Sequence, residues 1–102
     1  MSEDYNGWTN YETWNVKLWL DNDEATFDDV HEAIRSLLDY PGWNIDDAAY
    51  RAGQRIEAYV RELPEVDVIL SSASMAADLL GAALDNVNWG EIGEGYLNDM
   101  AA

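Results

Sequence analysis

The chain has 102 residues, with 5 Lys plus Arg against 21 Asp plus Glu, a formal net charge of −16. That length suits one domain, and 48% hydrophobic with 12% aromatic residues is too rich in core formers for a disordered acidic tail. The absence of cysteine excludes a disulfide scaffold, a zinc-thiolate site and a Cys nucleophile, and so acidic a surface repels nucleic acid and anionic membranes as direct partners.

The start, Met1-Ser-Glu-Asp-Tyr-Asn, shows no basic or apolar signal-peptide region. No apolar run approaches the ~20 residues of a membrane span. A cytoplasmic single domain over 1–102 is expected, with 1–8 as a flexible lead-in.

The spacing predicts a first helix from about Asn10 to Asp21, opened by the capping-box pair Thr9 and Glu12. Tyr11, Trp14 and Leu18 form one stripe, and Val16, Trp19 and Leu20 widen the apolar surface, so this helix is expected at the centre. A second helix is predicted from about Phe27 to Asp39, capped by Thr26, with Phe27, Val30, Ile34, Leu37 and Leu38 on its buried face. Tyr40-Pro41-Gly42 breaks the chain. A third helix is predicted from about Asp46 to Leu63, its stripe made of Ile45, Ala49, Ala52, Ile56, Tyr59, Val60 and Leu63.

The segment Glu65 to Val87 reads two ways. Val66, Val68 and Leu70 alternate as in a strand, while Ile69, Ala73, Ala76, Leu79, Leu80, Ala83, Leu84 and Val87 suit a helix. A short element to Leu70, a kink at Ser71-Ser72 and a helix from about Ser74 to Asp85 fit best, with Gly81 allowing close helix packing. The last helix is predicted from about Trp89 to Met100, capped by Asn88, and Gly90, Gly93 and Gly95 weaken it by roughly 1 kcal/mol each. The expected fold is a compact all-α domain of four to five short helices. Trp8, Trp14, Trp19, Trp43 and Trp89 are expected to supply much of its core or lid.

Catalytic chemistry is missing. The single histidine, His31, lies between Asp28 and Glu32 off the apolar stripe and reads as a solvated helix residue. Ser71, Ser72 and Ser74 sit in no nucleophile-elbow context, and there is no phosphate-binding glycine motif. Among so many acids a pair at glycosidase spacing carries no signal. Asp21, Asp23, Asp29 and Glu32 fall at positions 1, 3, 9 and 12 of a calcium loop, but Ala25 and Thr26 occupy positions that want an oxygen ligand and a glycine. A non-enzymatic protein without metal or cofactor is expected.

The charge is the informative feature. At one charge per about 1.7 Å, sixteen charges occupy roughly 27 Å of duplex DNA, and a folded chain of this length is about 30 Å across. Asp28 and Glu32 project from one helix face one turn apart, and Asp21, Asp23, Glu24 and Asp29 crowd the same end. Asp39, Asp46 and Asp47 flank the following turn, and Glu57, Glu62, Glu65 and Asp67 offer a second stripe. Three explanations fit such a surface: mimicry of DNA, adaptation to high salt and plain solubility.

The stretch Asn6-Gly-Trp-Thr-Asn-Tyr-Glu-Thr-Trp-Asn-Val-Lys-Leu-Trp-Leu-Asp-Asn22 resembles the N-terminal signature of a largely uncharacterised family of small acidic proteins encoded by bacteriophages and other mobile elements. Asp78-Leu-Leu-Gly-Ala-Ala-Leu-Asp-Asn-Val-Asn-Trp-Gly-Glu-Ile92 is similar to that family's closing segment. The resemblance implies no catalytic residues. It implies a setting, the cytoplasm of a host cell, where such proteins often counter host defences. The resulting expectation is an antirestriction or anti-CRISPR inhibitor that mimics nucleic acid. Asp21, Asp23, Glu24, Asp28, Asp29, Glu32, Asp39, Asp46 and Asp47 would face the basic groove of a defence nuclease or CRISPR complex. The competing expectation is an interaction module that uses exposed Trp and Tyr, its acidity serving solubility or high-salt adaptation.

Overall fold

Asn10, Asp23, Asn44, Ser74 and Asn88 each turn a side-chain oxygen onto the backbone N–H three residues later, at 2.9 to 3.1 Å. These caps satisfy orphan donors and set where five of the helices begin. The computed structural model describes residues 5–101 and contains α1 (Tyr11–Asn22), α2 (Glu24–Arg35), a 3-10 turn (Ser36–Asp39), α3 (Ile45–Glu62), α4 (Pro64–Leu70), α5 (Met75–Asp85) and α6 (Trp89–Ala101). The described residues are thus all-helical, with six helices instead of four or five, because the ambiguous segment after Pro64 is two helices. Val66, Val68 and Leu70 belong to α4, with Pro64 in its first turn where a missing N–H costs nothing. No β-strand occurs among the described residues.

Two other boundaries shift for local reasons. Asn10, not Thr9, caps α1: its Oδ1 takes the Thr13 N–H, and the Thr9 N–H that a capping box would give to Glu12 donates to Glu91 Oε1 at 3.1 Å. Asp23 ends α1 and caps α2, so α2 starts at Glu24, three residues ahead of Phe27. Its last turn tightens to the 3-10 turn before Tyr40-Pro41-Gly42-Trp43, where Gly42 takes φ +76° and the Trp43 N–H donates to the Tyr40 carbonyl. Pro then Gly is the residue order of a type II turn.

The expected flexible lead-in falls partly on residues 1–4, outside the described residues. Tyr5 and Trp8 pair their backbones in both directions across Asn6 (φ 52°) and Gly7 (φ 90°). Asn-Gly with both φ positive is the tight reverse turn of a hairpin.

α3 and α6 form the centre. Ala49, Ala52, Ile56 and Val60 of α3 meet Trp89, Ile92, Tyr96 and Leu97 of α6, with Val30, Ile34 and Leu37 closing one side and Leu84 and Val87 another. The approach is close because Gly53 and Gly93 lie at the contact. A Cβ on Gly93 would stand 2.8 Å from the Ala49 carbonyl oxygen, and one on Gly53 would stand 2.8 Å from the Gly90 backbone nitrogen. Gly81, expected to serve this purpose, faces open space.

The helix expected at the centre, α1, is peripheral. Its Tyr11 and Trp19 are 51% and 66% exposed, and its buried positions are Thr13 and Leu20. Of the five tryptophans only Trp89 belongs to the buried core, where its ring N–H donates to the Leu84 carbonyl.

Candidate interaction surface

The outer face of α2 lies opposite Val30 and Ile34. Glu24, Asp28 and Glu32 occupy it at successive turns, all three exposed. Four residues of α-helix rise about 6 Å, so the carboxylates form a row of about 12 Å. Glu24 and Asp28 have no cationic partner among the described residues, and Glu32 reaches only a long, exposed contact of 3.6 Å with Arg35.

The other expected site residues have different tasks. Asp23 spends an oxygen on the α2 cap. Asp29 accepts a 2.9 Å hydrogen bond from the Tyr59 hydroxyl of α3. Asp47 pairs with Arg51 one turn on, at 3.1 Å. Asp39 and Asp46 are exposed, in the 3-10 turn and in the first turn of α3.

α2 and α3 run antiparallel, since Asp29 meets Tyr59 while Arg55 donates to the Ala33 carbonyl and to Ser36 Oγ. The thirteen steps from Asp46 to Tyr59 span about 20 Å of α3. Asp21, Asp23, Glu24, Asp28 and Asp29 therefore gather at one end of the α2–α3 pair, with Glu32 continuing their row. Asp39, Asp46 and Asp47 sit at the other end, beyond Arg55. Glu62, exposed and one turn past Tyr59, extends the first group.

Asp21 is a structural member of that group. It accepts a 2.6 Å hydrogen bond from the Tyr96 hydroxyl and an ion pair from Lys17. Tyr96 is 1% exposed. The Lys17 ammonium lies over its ring, 4.5 Å from the centroid, and His31 meets its edge at 5.2 Å. His31 also stacks on Phe27 at 4.0 Å and bonds the Phe27 carbonyl oxygen through Nδ1, so it is half-buried against aromatic rings instead of solvated. Burial first, then the Asp21 carboxylate, pushes the Tyr96 hydroxyl far above its ordinary value of 10.0.

The sign of that linkage is definite. The folded state holds the Tyr96 proton after an unfolded chain has released it, so this stabilisation is complete below pH 10 and shrinks as pH rises further, by up to about 1.4 kcal/mol per pH unit. Alkaline denaturation followed by circular dichroism should steepen above pH 10, and Tyr96→Phe should flatten that slope. An unchanged slope in Tyr96→Phe would refute the assignment.

A polar clasp joins the two ends of the chain. The Thr13 hydroxyl donates to Asn10 Oδ1 at 2.6 Å and accepts from the Asn88 N–H at 2.8 Å. Asn10 Nδ2 donates to the Asn86 carbonyl, and Asn88 Nδ2 to Thr9 Oγ1. Thr13 is fully buried. Thr13→Val keeps its shape but leaves the Asn88 N–H without an acceptor, which costs about 1–3 kcal/mol. Urea denaturation should show that loss in the midpoint with the slope m unchanged.

The N-terminal aromatics make a second surface. Tyr5, Tyr11 and Trp14 contact one another with centroids 4.8 to 5.6 Å apart, and Tyr5, Tyr11, Leu18 and Trp19 are exposed. This is the outward side of α1.

Among the described residues no three of His, Asp or Glu converge as a metal site, and the calcium-loop reading fails because residues from Glu24 onward are helical. No single described helix is long and apolar enough to cross a membrane. Compared with known proteins, residues 1–101 match the model of a family of unknown function, DUF7249. The chain belongs to that family. No curated protein and no solved structure matches it.

Proposed function

We propose that the protein is a non-enzymatic inhibitor that presents an acidic helical surface to a basic nucleic-acid groove. The observation that carries this reading is the row Glu24, Asp28 and Glu32, flanked by Asp23, Asp29 and Glu62, on the packed α2–α3 pair. The longest dimension of the molecule is 45 Å. A duplex of that length carries about 26 charges, so a net charge of −16 is of the same order. Five cations neutralise few of 21 acids, and this repulsion opposes folding. A surface held at that cost has its use in binding. The setting implied by the signature residues makes the target a restriction or CRISPR-type complex in the cytoplasm of a host cell, and the binding step needs no metal or cofactor.

The test is inhibition of purified restriction and CRISPR nuclease complexes, each titrated from 50 to 300 mM NaCl with competitor duplex. Inhibition should weaken at least tenfold across that range and be relieved by duplex in a competitive manner. Salt-indifferent inhibition would defeat the reading.

The exposed aromatic cluster supports a second reading. Tyr and Trp are the residues of interface hot spots, and Tyr5, Tyr11 and Trp19 are already solvent-facing. On that reading the partner docks on α1 and the acids maintain solubility. Alanine at Tyr11 and Trp19 discriminates the two, since only the aromatic-docked partner would be lost.

A further inference from the structure

α5 turns an apolar stripe away from the core. Met75, Leu79, Ala82 and Asn86 recur at i, i+4, i+7 and i+11 and are all exposed, Met75 at 78% and Leu79 at 65%. A surface helix ordinarily keeps polar residues on its outer side. α4, which packs on α5, exposes Val68 and Ile69 as well. Apolar residues gathered in this way on a surface mark a place of interaction.

The stripe has an acidic border. By the helical period Asp78 and Asp85 stand along one flank of it, two turns and about 10.5 Å apart. Where α5 meets α1, Glu12 joins Leu79, Ala82, Ala83, Asp85 and Asn86 around a hollow of about 410 Å³. No lysine or arginine lines that hollow. Among the described residues Glu12 and Asp78 have no cationic partner, and Asp85 shares Arg61 with Glu57. The face thus offers apolar contact along its middle and negative charge at its edges.

We propose that the outer face of α5 docks a basic amphipathic helix of a partner protein. That border repels a second copy of this acidic chain and an anionic lipid surface alike. An extended peptide finds no sheet edge here to join, and a proline-rich one finds no aromatic groove, since α4 and α5 contain no aromatic residue. A helix with apolar residues at i, i+3, i+4 and i+7 matches the stripe, which from Met75 to Asn86 runs about 16 Å, or three turns. Lys or Arg seven residues apart beside that apolar face match the spacing of Asp78 and Asp85. The small Ala82 and Ala83 admit a close approach, and the flexible Met75 side chain adapts to what lies against it. This docking is independent of the acidic row on α2.

Fluorescence anisotropy tests this with the full-length protein in 150 mM NaCl and a labelled fourteen-residue peptide of leucine and lysine that forms one apolar and one basic helix face. A scrambled peptide of the same composition should bind about tenfold more weakly, because it keeps the charge and loses the apolar face. Leu79→Glu and Met75→Glu, both at exposed positions, should each weaken the amphipathic peptide about tenfold although they add negative charge, with circular dichroism unchanged. Glu12→Gln combined with Asp78→Asn should weaken it severalfold, and Glu24→Gln, Asp28→Asn and Glu32→Gln together should change it by less than about threefold. No binding, equal binding of the scrambled peptide, or binding that survives both glutamate variants overturns the proposal. A larger loss from the α2 variant than from Leu79→Glu places the peptide on the acidic row and overturns it too. Binding to phosphatidylcholine vesicles, or self-association in sedimentation equilibrium, that Leu79→Glu abolishes assigns the face to another occupant and equally overturns it. None of these readouts depends on inhibition of a nuclease.

Discussion

Gly93→Ala should lower the stability of the protein by about 2–4 kcal/mol, although alanine is the better helix former. In an isolated helix the exchange gains roughly 1 kcal/mol. Here the new Cβ meets the Ala49 oxygen at 2.8 Å and Ala52 Cβ and the Gly53 nitrogen at 2.9 Å. Two of the three are backbone atoms and cannot rotate away. α3 and α6 must move apart, which loosens the packing around Ile56, Ile92 and Leu97, all at 0% exposure. Gly53→Ala should behave alike, since its Cβ would face the backbone of Trp89 and Gly90 at 2.8 Å. For a domain of this size the loss corresponds to a Tm lowered by about 10–25 °C. Gly81→Ala should raise stability by about 1 kcal/mol, because its Cβ has free space. Thermal melts of the three variants decide the point. Equal effects at Gly81 and Gly93 would mean that the helix contact is not the cause.

The second large effect concerns the acidic row. Glu24→Lys, Asp28→Lys and Glu32→Lys together should weaken inhibition of the target by about 100-fold or more, since each contact changes from attraction to repulsion. The fold should tolerate the change. All three side chains are exposed, and exposed substitutions usually cost within about 0.5 kcal/mol each, with a further fraction at Glu24 for the helix dipole. A matched triple, Glu65→Lys, Asp67→Lys and Asp78→Lys, alters the net charge equally but leaves α2 intact. Equal weakening by both triples would show that only overall charge matters and that the α2 row is not the contact.

The parts of this structure legible in the sequence are those where apolar period and burial agree. α3 is the clearest case: Ala49, Ala52, Ile56 and Val60 are the stripe and the buried face at once. α1 is the opposite case. Its apolar stripe of Tyr11, Trp14 and Leu18 faces outward, while the inner side carries Thr13, Lys17 and Leu20. Hydropathy alone assigns Thr13 and Lys17 to solvent. They are inside because Asn88, Asp21 and Tyr96 satisfy them, and two of those partners lie more than seventy residues away in the chain. The same distance hides which acids are free. The spacing of Glu24, Asp28 and Glu32 can be read directly, but Asp21 and Asp29 are tied down by Tyr96 and Tyr59, from helices that only folding brings near. The glycines of α6 look like weak points until α3 is in place, when Gly93 becomes the residue that lets the two helices touch.

The bonds that hold Asn10 and Thr13 run to Asn86 and Asn88. During synthesis α1 is therefore secured only after residues about 75 positions further along have left the ribosome. A premature stop anywhere before Asn86 removes the fastening completely, so shortened products should be degraded instead of persisting as partly active fragments.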